Sequence, residues 1–341
     1  VRTAARFERG LQEVADGVFA YLQPDGSWGW ANAGLVIDGG SSLLVDTLYG
    51  NAQTRTMLEE MARLSPAARA IDVVVNTHAN GDHCWGNQLV PTEEILATRR
   101  AAEEMRLLQP RQQAMLVNAS KLASRGGWPA KMLMRGLGHL GLRRLGAVGV
   151  AADFVTEIFG DFDFDGITIT PPTKTFTGEH TLRVGDTPAV CIEVGPAHTT
   201  GDAIVHLPEQ RVVFTGDILF AGAHPIMWEG PVDNWIAACD RIVAMDVDVV
   251  VPGHGPVSDE TAIEALGGYL RYLRDEAHAR QDAGMSSLDA ALDIDLSDYA
   301  DWGEPERIVV NVDALFAERR GESKRDPVVM FELMARFRGR R

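Results

Sequence analysis

The chain has 341 residues, 45% of them hydrophobic and 23% charged, with a net charge of −16, proportions that suit a globular protein with a core to bury. The acidic balance argues against a nucleic-acid partner, which needs a basic face toward phosphates, and no run reaches the roughly 18–20 apolar residues of a membrane helix. Three cysteines without a CxxC pair, Cys84, Cys191 and Cys239, argue against a disulfide framework and a thiolate zinc knuckle.

The first residues, Val1 to Glu8, lack the apolar core of a secretory signal, so cytoplasm is the expected location, although a start at Val leaves room for a trimmed leader. Residues 17–22 read as a strand and Pro24-Asp25-Gly26-Ser27 as a turn. Residues 33–37 and 42–45 flank Asp38-Gly39-Gly40, a hairpin signal. Met57, Met61 and Leu64 give residues 51–64 a helical spacing that Ser65-Pro66 ends. A short apolar strand at 71–75 then runs into Asn76-Thr77-His78.

Residues 98–161 read as helices rich in Leu and Met, broken at Gly126-Gly127-Trp128-Pro129. Strands resume at 168–170, 173–176, 190–194, 203–207 and 211–215. A helix over 231–245, a strand at 247–251, a long helix over about 258–283 and a charged helical tail from Ser286 follow. No linker rich in Gly, Ser or Pro divides the chain. The expectation is a single domain over 1–341, with a helical insertion at 98–161 and a helical C-terminal extension at 286–341.

A faint internal echo supports two similar half-sheets. The run Leu43-Leu44-Val45-Asp46 is matched by Val212-Val213-Phe214-Thr215-Gly216-Asp217, and Val73-Val74-Val75-Asn76-Thr77-His78 by Val249-Val250-Val251-Pro252-Gly253-His254. In each half one apolar strand ends near an acid and a later one near a histidine, delivering polar residues to a shared edge.

The chemistry gathers at those strand exits. A tight loop, His78-Ala79-Asn80-Gly81-Asp82-His83, offers two imidazoles and a carboxylate; His198 precedes Thr199-Thr200-Gly201-Asp202; Asp217 and His254 each follow a glycine. His and Asp are the ligands expected for zinc or iron. Asp82 and Asn80, inside the loop, are the candidate catalytic residues.

This series resembles the metallo-β-lactamase-fold hydrolase superfamily, whose motifs run strand–Asp, HxHxDH, a His before a Thr-x-Gly-Asp turn, a Gly-Asp and a Gly-His. The likeness spans residues 18–257 apart from the insertion. It implies an α/β fold, an αββα four-layer sandwich with a metal site at one edge of the paired sheets. It also implies a ligand set of His78, Asp82, His83, His198, Asp217 and His254, with Asp217 bridging two ions and Asp46 orienting ligands. One departure matters: the second histidine of HxHxDH is Asn80 here. An amide oxygen is a weak ligand for a borderline-soft ion, so the ion at His78, His198 and Asp217 is expected to be loosely held. His224 is a candidate replacement for the lost imidazole.

The resemblance implies a metal-dependent hydrolase, with one or two Zn2+ ions lowering the pKa of bound water from about 16 to about 7. Fe2+ held by His78, His198 and Asp217 in a mononuclear oxidoreductase is the alternative, and a non-catalytic metal-binding relative the third reading. Ten Lys and Arg against Glu103 and Glu104 leave residues 98–146 at +8 and the remainder at −24. Such a basic, apolar insertion near the site suits a small-molecule ester, thioester or lactone with an apolar body and an anionic part, an acyl-CoA or acyl-carrier-protein thioester among them. A homodimer interface is its other use. Trp228 is a candidate pocket residue.

Overall fold

The computed structural model describes residues 7–24, 27–322 and 326–340; the turn expected at 24–27 falls, at Asp25 and Gly26, outside the described residues. A seven-stranded sheet takes its strands in chain order. Four of them, β1 (Gly10–Ala15), β2 (Val18–Leu22), β3 (Ala33–Asp38) and β4 (Ser41–Val45), form an antiparallel meander. The other three, β5 (Val73–Val75), β6 (Glu94–Thr98) and β7 (Lys174–Phe176), run parallel to β4.

The second, five-stranded sheet comprises β8 (Glu179–Val184), β9 (Thr187–Glu193), β10 (Ala203–Leu207), β11 (Val212–Phe220) and β12 (Val249–His254). Its first four strands are antiparallel and β11–β12 is parallel. The internal echo therefore has a structural counterpart: β4 lies parallel to β5, and β11 parallel to β12. Because parallel neighbours end at the same side, the residues after their C-terminal ends meet at one edge. Pro252, which has no N–H to donate, is tolerated because β12 is the edge strand of its sheet.

The sheets face each other across an apolar layer in which Val18, Ala20, Leu43 and Val75 of the first meet Cys191, Val205, Phe214 and Val251 of the second. Helix α1 (Asn51–Leu64) covers the outer face of the first sheet, burying Met57 and Met61 against Leu35, Leu44 and Val74. The outer face of the second sheet takes α7 (Val232–Val243) and α8 (Glu260–Asp282), through Trp235, Ile242, Ile263 and Leu266. This is the αββα sandwich expected from the sequence.

A short helix, α2 (Gly81–Cys84), follows the β5 loop. Residues 99–159 fold into α3 (Arg99–Met105), α4 (Pro110–Arg125), α5 (Gly127–His139) and α6 (Arg143–Phe159). The C-terminal stretch supplies α9 (Ser287–Asp293), α10 (Ile308–Arg320) and α11 (Pro327–Arg338). The strand expected at 168–170 is irregular instead: Thr168 N–H donates to the Gln88 side chain and Thr170 carbonyl accepts from Asn87, so side chains take the place of a ladder.

Candidate metal centre

The four histidines of the expected ligand set, His78, His83, His198 and His254, are buried, and each presents Nε2 to one cluster because Nδ1 is anchored elsewhere. His83 Nδ1 bonds Asp46 Oδ2 at 2.9 Å, His198 Nδ1 the Ile226 carbonyl at 2.6 Å, and His254 Nδ1 the Trp30 carbonyl at 3.2 Å. Carbonyls and carboxylates only accept, so these Nδ1 atoms carry a proton and Nε2 is the ring nitrogen left to ligate a cation. For His78 the relay is one step longer. Thr77 Oγ1 donates to Asp46 Oδ2 at 2.7 Å and accepts from His78 Nδ1 at 3.0 Å. Asp46 Oδ1 also takes the Thr77 N–H at 2.7 Å. Asp46 thus aims two imidazoles from a left-handed backbone at φ 63, a conformation that Asp tolerates better than most residues.

Asp217 lies at the centre. Its Oδ2 is 3.2 Å from His198 Nε2 and 3.7 Å from His78 Nε2; its Oδ1 is 3.1 Å from His83 Nε2 and 3.4 Å from His254 Nε2. Asp82 Oδ2 stands 3.4 Å from His254 Nε2. Two groups result, His78 with His198 and Asp217, and Asp82 with His83 and His254, each with its candidate ligand atoms within 4.8 Å of one another. The His78 Nε2 atom is buried without a hydrogen-bond partner, a costly arrangement unless a cation takes the lone pair. Nitrogen and carboxylate donors in sets of three fit a zinc- or iron-class ion.

Electrostatics favour the ligand form of Asp217, His78 and His198. At His83 and His254 burial opposes protonation, but the Asp217 carboxylate outweighs it and raises their pKa, so a cation must displace a proton there. Burial opposes ionisation of Asp217, yet the imidazoles of His254, His83, His198 and His78 outweigh it and hold the carboxyl well below its ordinary range. Burial likewise pushes the His78 pKa well down, helped by His83.

Two glycines let the β12 loop close on the centre. A Cβ on Gly253 would lie 2.1 Å from Asp217 Oδ1, and Gly255, at φ 93, would press one 2.1 Å from the Ala221 carbonyl.

Asn80 sits beside the first group, its Nδ2 2.8 Å from His198 Nε2. Since that nitrogen carries a lone pair, the amide donates. His224 belongs to neither group. It is buried, packed edge-on against Tyr269 and Trp302, and is absent from the lining of the cavity that opens over the centre. It does not stand in for the lost imidazole. Trp228 does line that cavity.

The cavity holds about 650 Å³ and is bounded by aromatic and aliphatic side chains including Trp28, Tyr49, Trp85, Phe220, Trp228 and Phe331, with Asp82, His198, Asp217 and His254 at its metal-facing end. Among its described lining residues the one cationic side chain is Arg307; none of the ten Lys and Arg of residues 98–146 reaches it. Arg307 is buried, with its guanidinium 4.3 Å over the Trp28 ring and 5.0 Å over Phe220, donating to Ser27 Oγ and the His224 carbonyl. Sequence reading missed Arg307, Thr77 and Phe220. Thr77 was findable from its place beside His78, whereas Arg307 lies 53 residues beyond His254 with no local motif.

Residues 27–254 match the metallo-β-lactamase superfamily model, and with the fold and these strand-end residues the chain belongs to that superfamily. It is 25% identical over 247 residues to the linear primary-alkylsulfatase of Pseudomonas sp. (strain ATCC 19151), covering 68% of this chain and 42% of that protein. It is 28% identical over 107 residues to the 2,4-dinitroanisole O-demethylase subunit alpha of Nocardioides sp. (strain JS1661), covering 31% of this chain and 32% of that protein. The chain thus spans less than half the length of either curated relative. Among solved structures, the inverting sec-alkylsulfatase Pisa1 from Pseudomonas sp. superposes with a TM-score of 0.61 at 16% identity, over 94% of this chain and 51% of that one, a likeness of fold.

Proposed function

We propose that this chain is a zinc-dependent hydrolase of a small-molecule ester with an apolar body. The observation that carries the reading is the position of Asp217, a member of one ligand group and 3.1 and 3.4 Å from His83 and His254 of the other, at the end of an apolar cavity. A bound divalent cation would supply a water that deprotonates near neutral pH and a charge to stabilise the developing oxyanion. His78, His198 and Asp217 would hold one ion, and Asp82, His83, His254 and Asp217 the other, with Asp46 fixing two of the rings. The aromatic walls exclude bulk water and bind the apolar body, and Arg307 sets a positive charge beside it.

An acyl-CoA or acyl-carrier-protein thioester fits less well. Glu104, Glu229, Glu318 and Glu322 also border the cavity, and a carrier's phosphates would meet that acid. Sulfate esters of alkyl chains join the esters and lactones as candidates, because one curated relative bears the name of a linear primary-alkylsulfatase.

The test is metal content of protein purified without chelator, paired with turnover on an aryl ester, a long-chain lactone, a thioester and a long-chain alkyl sulfate. Chelator-sensitive hydrolysis restored by zinc is expected. Iron with oxygen uptake, or hydrolysis indifferent to chelator, overturns the reading.

A further inference from the structure

The surface of α4–α6 carries a second, unrelated signature. Of the large hydrophobic side chains exposed among the described residues, all but Phe7 and Leu64 lie between Leu107 and Leu145. Met115 is 71% exposed, Leu122 73%, Trp128 72%, Leu133 66% and Leu140 81%. Helix α5 buries none of its own side chains. It rests on α6 through a backbone contact so close that a Cβ on Gly138 would fall 2.7 Å from Gly146 Cα. Trp128 and Met132, four residues apart, share one side of that helix, and Leu140 protrudes just past its end. From Met105 to Ala152 there is no Asp or Glu at all.

Most cations elsewhere are paired, although Arg55, Arg69 and Arg183 also make no ion pair among the described residues. On the body, arginines such as Arg211, Arg271, Arg274 and Arg280 are paired with carboxylates. Here Arg111, Lys121, Arg125, Arg135 and Arg143 make no ion pair among the described residues, while Lys131 and Arg144 do. The sequence suggested a substrate or a homodimer for this basic, apolar surface, yet of the insertion only Glu104, Leu108, Gln113 and Phe159 line the cavity, and none of its cations does.

We infer that the α4–α6 surface docks the protein on an anionic lipid surface. Protruding Trp, Leu and Met flanked by unneutralised cations are what an interfacial helix presents to acidic headgroups and the acyl boundary beneath them. The −24 remainder of the chain is repelled by such a surface, so charge alone orients the molecule with this face down. A symmetric contact between two copies through the same face would set these cations against each other. The root of the insertion borders the cavity, so docking brings the cavity mouth toward the lipid.

The test is co-sedimentation of the full chain with phosphatidylglycerol vesicles and with phosphatidylcholine vesicles, at low and at 0.5 M salt. Binding to the anionic vesicles that salt reverses, with little to the zwitterionic ones, is expected. The R125Q/R135Q variant should partition about thirtyfold more weakly, and W128E/L133E should not bind, both with unchanged thermal midpoints because these side chains are exposed. Failure to bind either vesicle, equal binding to both, or a concentration-dependent dimer that W128E/L133E dissolves would overturn the inference. Esterase activity enters none of these readouts, so they fail or succeed independently of the proposed hydrolysis.

Discussion

The Asn80 side-chain amide donates to Nε2 of His198 at 2.8 Å, occupying the same lone pair that a metal ion would take. Asparagine at this position therefore acts twice against the first ligand group. It withholds an imidazole, and it offers a hydrogen bond that must break before His198 can ligate.

Replacing it should show both effects. An Asn80→His variant is expected to bind the ion at His78, His198 and Asp217 at least about tenfold more tightly and to raise hydrolysis of generic esters. Titration calorimetry on metal-stripped protein reads the affinity. Abolished activity in a variant that gains metal would instead give Asn80 a dedicated role with substrate.

Removing the shared carboxylate should cost more than removing a ligand of one group. Asp217→Ala is expected to lose both equivalents after dialysis, whereas His198→Ala keeps the ion held by Asp82, His83 and His254. Elemental analysis of the two variants separates the outcomes, and equal retention would show that Asp217 does not bridge.

Asp46 touches the His83 ring directly and the His78 ring through Thr77, and would act on a bound ion only by aiming them. Asp46→Asn removes the ionised acceptor from His83 and from the Thr77 relay to His78, and a ten- to hundredfold loss of metal affinity follows from typical effects of such orienting groups. Fold should survive, as circular dichroism can check.

Gly253→Ala is predicted to reach the same centre from the backbone. Its new Cβ would meet Asp217 Oδ1 at 2.1 Å, and either Asp217 or the β12 loop must move. Loss of metal that exceeds any loss in thermal midpoint is the expected result.

Acid stability has a specific contributor at the seam of the sheets. The Asp38 carboxyl, at the end of β3, accepts the N–H groups of Asp186 and Thr187 and the Thr187 hydroxyl in the β8–β9 turn. These bonds, the Asp186 N–H foremost, hold its pKa below the usual carboxylate range. A carboxyl with a depressed folded pKa stabilises fully above its unfolded value near 4, and that contribution is lost as pH falls through the folded value. Asp38→Asn should melt lower than wild type at pH 7, with the gap narrowing toward pH 3. A gap that persists at pH 3 would assign the effect to packing.

The sequence made the sandwich legible where strands are buried on both faces. Such strands read as plain Val and Leu runs with Gly, Asp or His within or shortly after them, as β4, β5, β11 and β12 do. It concealed β1 and β8, whose runs of Gln, Glu, His, Thr and Arg reflect edge positions with exposed faces. It also concealed β6, a short run that passes straight into α3. The strand-exit residues of the centre were readable because metal donors are rare side chains in glycine-rich turns. The groups that aim them were not: two of the four Nδ1 anchors are main-chain carbonyls, of Ile226 and Trp30, and any residue type supplies a carbonyl.

One wall of the cavity, with Arg307, Val310, Met330 and Phe331, comes from beyond residue 254, where the superfamily match stops. The donors at the strand exits all lie within the matched stretch. Part of the wall that a bound molecule would meet is thus written outside the stretch that carries the candidate donors, so drift in the C-terminal helices can reshape that wall while those donors keep their place.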